Sequence, residues 1–190
     1  IQPFLKNGGN TVYDVHSGTR KSFDLDTAEL AFRRLADEVF DHGGTGSNHS
    51  AYEASGALFN ILCIENDSIR DVYFDTFMNG TPNQDGFHTI LNTIKTNDYL
   101  WPESFTYGKV THEVVLHLLN VVDKYRDSLN LVNTHRSTLK GAFLYQNMKY
   151  PNKTAAIRMG DSRRVKKIGC ENLYLKVLAI AHRRSMNVYK

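Results

Sequence analysis

Apolar residues along most of this chain return every three or four positions, the spacing of one helix face, and this recurrence restricts the fold more than any single motif. Asp24 or Asp26 can cap a helix that runs to about Phe40, with Leu30, Ala31, Phe32, Leu35, Val39 and Phe40 at helical spacing and His42-Gly43-Gly44 as its stop. A second helix starts near Ser47 or Asn48 and is expected to turn Tyr52, Leu58, Phe59, Leu62 and Cys63 inward. Ser68 to Met78 forms a short amphipathic helix on Ile69, Val72, Tyr73, Phe77 and Met78, and Asn79-Gly80-Thr81-Pro82-Asn83 is the clearest loop. Phe87 to Ile94 continues in helical period before irregular chain through Trp101-Pro102.

The strongest helix covers Lys109 to Asp127, where Val110, Val114, Val115, Leu118, Val121, Val122 and Tyr125 make a broad apolar face. Thr138 to Tyr150 and Glu171 to Met186 complete the set, the last with Leu173, Val177, Ile180 and Ala181 on one side. Residues 1–25 alternate and carry Gly8-Gly9-Asn10, which reads as an extended arm or short hairpin. The expected fold is therefore all-α: a single irregular helical domain over 26–190, a basic C-terminal region at 136–190, and the arm at 1–25. No repeat of 20 to 50 residues is visible, which argues against a solenoid.

Length and composition suit one ordinary core, since 190 residues carry 41% hydrophobic and 23% charged side chains. The longest central apolar run, Ala54 to Ile64, is too short to cross a bilayer, so no membrane insertion is expected. Two cysteines, Cys63 and Cys170, are too few for a disulfide framework and lack neighbours at metal-ligand spacing. The chain begins with Ile1, which suggests processing from a precursor. The sequons at Asn48, Asn66, Asn79 and Asn152 read as chance matches in an Asn-rich chain. An intracellular or virion location is favoured.

Charge is divided by position. Residues 1–135 hold 10 Lys/Arg against 18 Asp/Glu, whereas residues 136–190 hold 13 against 2. Such asymmetry suggests either a polyanion partner for the basic end or contact between copies of the chain.

Among catalytic-looking motifs, His112-Glu113-Val114-Val115-Leu116-His117 resembles the H-E-x-x-H helix of zinc peptidases with one residue added, as a family of zinc dipeptidases has it. At about 100° per residue the two imidazoles diverge by roughly 140°, so a helix start for His112 and a polar edge for His117 is the preferred reading. Gly43-Gly44-Thr45-Gly46-Ser47 ahead of a helix could present N–H groups to phosphate but lacks the lysine of a P-loop, and an interhelical linker is preferred. The carboxylate pairs Asp24/Asp26, Asp37/Glu38 and Asp71/Asp75 read as solvated surface. No cofactor is called for.

The basic constellation carries more weight. Lys149, Lys153, Arg158, Arg163, Arg164, Lys166 and Lys167 are opposed only by Asp161 and interleaved with Tyr145 and Tyr150, while Lys176, Arg183 and Arg184 extend the charge along the last helix. Arg and Lys neutralise phosphates and tyrosines offer stacking faces, so this set points to nucleic acid, RNA before DNA.

Leu139-Lys140-Gly141-Ala142-Phe143-Leu144-Tyr145 followed by Pro151 resembles a core helix in the coat proteins of flexible filamentous RNA viruses, and Leu62-Cys63-Ile64-Glu65-Asn66 is similar to a short stretch of the potyvirus type. That resemblance implies an all-α core with exchangeable arms that binds single-stranded RNA in a helical assembly. The expectation is thus a non-enzymatic, self-associating RNA-binding structural protein. The alternatives are a subunit docking through the same surface onto a larger complex, and a zinc-dependent hydrolase centred on His112, Glu113 and His117.

Overall fold

The computed structural model of the chain describes residues 11–148 and 171–184. They form a two-stranded hairpin and eight α-helices, so the all-α expectation holds. Strands β1 (Thr11–Asp14) and β2 (Thr19–Ser22) pair antiparallel, with Thr11 opposite Ser22 and Asp14 opposite Thr19. The Asp14 carboxylate organises the turn by accepting from His16 N at 2.9 Å and Ser17 Oγ at 2.8 Å and pairing with Lys21. Gly18 supplies the left-handed residue, at φ +65°.

Helix α1 spans Leu25–His42 and is capped by Asp24, whose side chain accepts from Thr27 N at 3.1 Å. It is followed by α2 (Asn48–Ile61), α3 (Asp67–Asn79), α4 (Phe87–Thr96), α5 (Phe105–Tyr125), the single turn α6 (Leu131–Thr134), α7 (Arg136–Asn147) and α8 (Glu171–Arg183). Their apolar faces close one core around Leu58, Ile61, Phe74, Phe87, Leu116 and Leu119, each at most 1% exposed. Aromatic rings thicken it, with Phe77 stacked on Phe87 at 5.4 Å between centroids.

Cross-helix pairs fix the directions. Tyr52 on α2 lies in the field of Tyr107 on α5, and seven residues further along α2 the Phe59 ring meets His117 at 5.5 Å, so α2 and α5 run the same way. Glu113 on α5 pairs with Lys176 on α8 at 3.5 Å, and Asn120 Oδ1 accepts from Arg183 at 2.7 Å, so α8 follows α5. The sequence-adjacent helices run against them. Glu29 on α1 accepts from Glu65 N, just beyond the far end of α2, at 3.0 Å. On α7, the Thr138 carbonyl meets His112 Nε2 at 2.7 Å while the Tyr145 hydroxyl accepts from Trp101 N, ahead of α5, at 3.2 Å. The N-terminal ends of α2, α5 and α8 therefore share one rim.

Some expected faces are rotated. Tyr52 is 37% exposed, Phe59 43% and Val72 65%, so these do not line the core; Phe74 is buried in α3 instead. Helix α5 begins at Phe105, four residues before the expected start, and buries Thr111, His112 and Asp123 along with its leucines and valines. Val110 is accordingly exposed. Helix α5 is packed by α2, α7 and α8 from several sides, and a face assigned from apolar residues alone misses the polar ones those neighbours cover. Among the described residues, no helix is long and apolar enough to cross a membrane.

Candidate active site

The rim at the N-terminal ends of α2 and α5 is built from the loop that joins α1 to α2. Gly44 N–H donates to Gln84 Oε1 at 3.1 Å, Gly46 N–H donates to Asp85 Oδ2 at 2.7 Å, and Gln84 Nε2 donates to Ser50 O at 2.9 Å. Gly46 takes φ +63°, which a side chain would resist. Two of the loop's amides, those of Gly44 and Gly46, are thus engaged by Gln84 and Asp85. The loop delivers Asn48, half-buried, and His49, exposed, to the first turn of α2.

One turn on, Tyr52 and Glu53 face the same rim. Glu53 Oε2 is buried with no hydrogen-bond partner, and a Cβ on Gly44 would come 2.9 Å from it and 3.3 Å from His49 Cβ. Gly44 therefore lets the carboxylate and the imidazole stem approach the loop backbone. Partial burial, foremost, holds the Tyr52 phenol above the usual tyrosine range, and the negative charges of Glu103 and Glu113 and the neighbouring Tyr107 add to this, against the Thr111 hydroxyl. Tyr52 stays a proton donor. Tyr107, 44% exposed in the first turn of α5, opens to solvent beside it.

Beside Glu103 lies a cavity of about 400 Å³ lined by Asp98, Trp101, Pro102, Glu103, Phe105 and Tyr145. Trp101 Nε1 donates to Glu103 Oε2 at 2.9 Å, which fixes that carboxylate at the edge of the rim. Phenols, an imidazole and carboxylates at one rim are the side chains of general acid–base chemistry. Among the described residues no three His, Cys, Asp or Glu side chains converge as metal ligands.

The residues singled out from the sequence fall into two groups, one of them outside the described residues. Lys149, Tyr150, Lys153, Arg158, Arg163, Arg164, Lys166 and Lys167 lie outside the described residues. Lys176 donates to the Glu113 carbonyl at 3.2 Å as well as pairing with its carboxylate. Arg183 and Arg184 both pair with Asp123, whose side chain is fully buried, and Arg184 Nε donates to Asp123 Oδ1 at 3.0 Å. These three cations tie α8 to α5. Tyr145 is 2% exposed and packs edge-on against Phe105 and His112, so its ring has no face for a base to stack on.

The zinc reading fails on geometry. His112 is wholly buried between Tyr145 and the Thr138 carbonyl, and desolvation lowers its pKa to about 4 despite that hydrogen bond. His117 instead lies tilted against the Phe59 ring, its pKa lowered by burial and by Lys176, while Glu113 faces Lys109 at 3.9 Å and Lys176. His112 thus sits inside the second turn of a longer helix, not at its start. Tyr52 and Tyr107 escaped sequence reading because they belong to different helices and no spacing links them; the Asn48-His49 step after a glycine-rich linker was the available signal.

Comparison with known proteins gives a direction. The family described as the endo-acting ulvan lyase 2nd domain matches residues 97–190. An endo-acting ulvan lyase from Formosa agariphila is 30% identical over 97% of this chain, and the chain spans 23% of that lyase's length. No solved structure matches. These similarities overturn the coat-protein resemblance, which rested on about a dozen residues, and with it the nucleic-acid partner, the RNA-binding assembly function and the viral setting. They give the zinc hydrolase no support.

Proposed function

We propose that this chain forms part of a polysaccharide lyase acting on ulvan, with the rim of α2 and α5 as its reaction site. The similarity to an ulvan lyase along nearly the whole chain carries the reading. A lyase breaks its bond by elimination: a base removes a proton from the carbon next to an acidifying carboxyl group, the electron pair forms a C=C bond, and the glycosidic oxygen leaves with a proton from an acid. The rim supplies both partners. The His49 imidazole, exposed on the first turn of α2, takes the carbon-bound proton, and Tyr107 protonates the departing oxygen. Tyr52, kept protonated by burial and by Glu103 and Glu113, donates a hydrogen bond to the sugar.

The test is release of unsaturated sugar ends from ulvan, followed by their ultraviolet absorbance, in the protein carrying this chain. His49→Ala and Tyr107→Phe should each lower kcat by about 10²- to 10⁴-fold with an unchanged circular dichroism spectrum. Full turnover in either variant removes that residue from its role. An ulvan digest with no unsaturated product sinks the lyase reading.

A further inference from the structure

A second concavity lies on the other side of the turn that follows α4. It encloses about 330 Å³ and is lined by Lys95 from the last turn of α4, Tyr99 from the turn, Asn133, and Arg136, Ser137 and Lys140 from the start of α7. Three cations and several neutral donors line it, and among the described residues no carboxylate does. The nearest acidic residue in sequence, Asp98, lines the cavity on the opposite side of the turn. Helix α7 has no side-chain cap at its N-terminus, so the amides of its first turn add a partial positive charge to the same wall.

The pocket is held open by backbone packing. Asp98 and Tyr99 both take left-handed conformations, at φ +52° and +70°, which is costly for an aromatic residue and persists where the surroundings impose it. The imposing contact is Gly141 on α7, where a Cβ would stand 1.9 Å from the Tyr99 carbonyl oxygen. The turn is thereby pressed onto α7 and Tyr99 is set at the mouth, 43% exposed. The electrostatic surroundings agree: His135, just ahead of α7, has its pKa lowered by burial and then by the positive charges of His88 and Lys95.

We infer that this pocket binds an acidic substituent of the polysaccharide, a carboxylate or sulfate group, with Lys95, Arg136 and Lys140 as the charged contacts and Tyr99 against the sugar ring. It is a glycan-anchoring site separate from His49, Tyr52 and Tyr107, and it rests on the lyase reading for the identity of its ligand. The two lysines offer point charges to either oxyanion, and the Arg136 guanidinium adds to the positive charge of the wall. An endo-acting lyase gains from such a contact by holding a long chain in place while a remote bond reacts.

The double variant Lys95→Ala/Lys140→Ala changes two exposed side chains, so the fold should persist, as a thermal melt will show. Binding of ulvan fragments by calorimetry should weaken roughly tenfold, the loss expected for charged hydrogen bonds. KM for ulvan should rise with kcat unchanged, and the salt dependence of binding should flatten. Lys140→Arg should keep wild-type affinity. Wild-type affinity and KM in the double variant, while ulvan is still cleaved, would overturn this site alone. A wild-type protein that neither binds nor cleaves ulvan would overturn the lyase reading and this one with it.

Discussion

His112 sits where an ionisable group is least welcome. Its Nε2 meets the Thr138 carbonyl at 2.7 Å, so that nitrogen carries the proton of the neutral ring, and Nδ1 is buried without a partner. With a folded pKa of about 4 against an ordinary 6.5, the ring is neutral in the fold, while in the unfolded chain it charges as pH drops below 6.5. Its contribution is complete above pH 6.5 and is lost as pH falls through 6.5 toward 4, by about 3 kcal/mol at most. Urea titrations at pH 7 and pH 4.5 should show a smaller acid loss in His112→Gln than in wild type; equal losses would mean that other groups set the acid sensitivity. A neighbouring position makes a steric prediction. A Cβ at Gly141 would meet the Tyr99 carbonyl at 1.9 Å and His112 Cε1 at 2.6 Å, so Gly141→Ala should destabilise by about 3 kcal/mol. A melting temperature within a degree of wild type would contradict that packing.

At the scale of elements, α8 is held by charge as much as by grease. Val177 and Ile180 are buried against the core, and Arg183 and Arg184 converge on Asp123, whose carboxylate no solvent reaches. Because the arginines are partly exposed and can rehydrate, Asp123→Asn should cost about 2 to 3 kcal/mol, toward the low end for breaking a buried pair. Hydrogen exchange should report this locally, with α8 amides losing protection before those of α2 and α5; uniform loss across the helices would argue against a local tether. Helix positions were legible in the sequence because apolar period and punctuation are local: Asp24 caps α1, and α4 begins at Phe87 as the spacing predicts. Which face is covered was less legible. Tyr52 and Phe59 fit an apolar stripe yet stand open, and the basic residues of α8 looked like a free surface because Glu113 and Asp123, their partners, lie some 60 residues away. The joint role we propose for His49 and Tyr107 was invisible for a related reason, since the two stand on different helices.

For the molecule as a whole, the charge split that suggested a nucleic-acid partner has a partly internal use, since basic α8 docks on acidic positions of α5. The hairpin takes little part in the core: every described side chain of β1 and β2 is exposed or only half-buried, and an isolated two-stranded ribbon is marginal in water. Deleting the chain through Ser22 should therefore move the melting temperature by less than about 3 °C; a larger drop would show that the hairpin is part of the fold's support. The shared direction of α2, α5 and α8 has a different consequence. The reaction site we propose lies where α2 and α5 begin, in residues 43–52 and 97–107, while most of the leucines and isoleucines of the core lie further along the same helices. The two tasks occupy separate stretches of each helix. If the proposed site stands, lengthening or rewriting the rim loops would alter it without disturbing the packed layer beneath, a division of labour that separates what the frame holds from what it holds up.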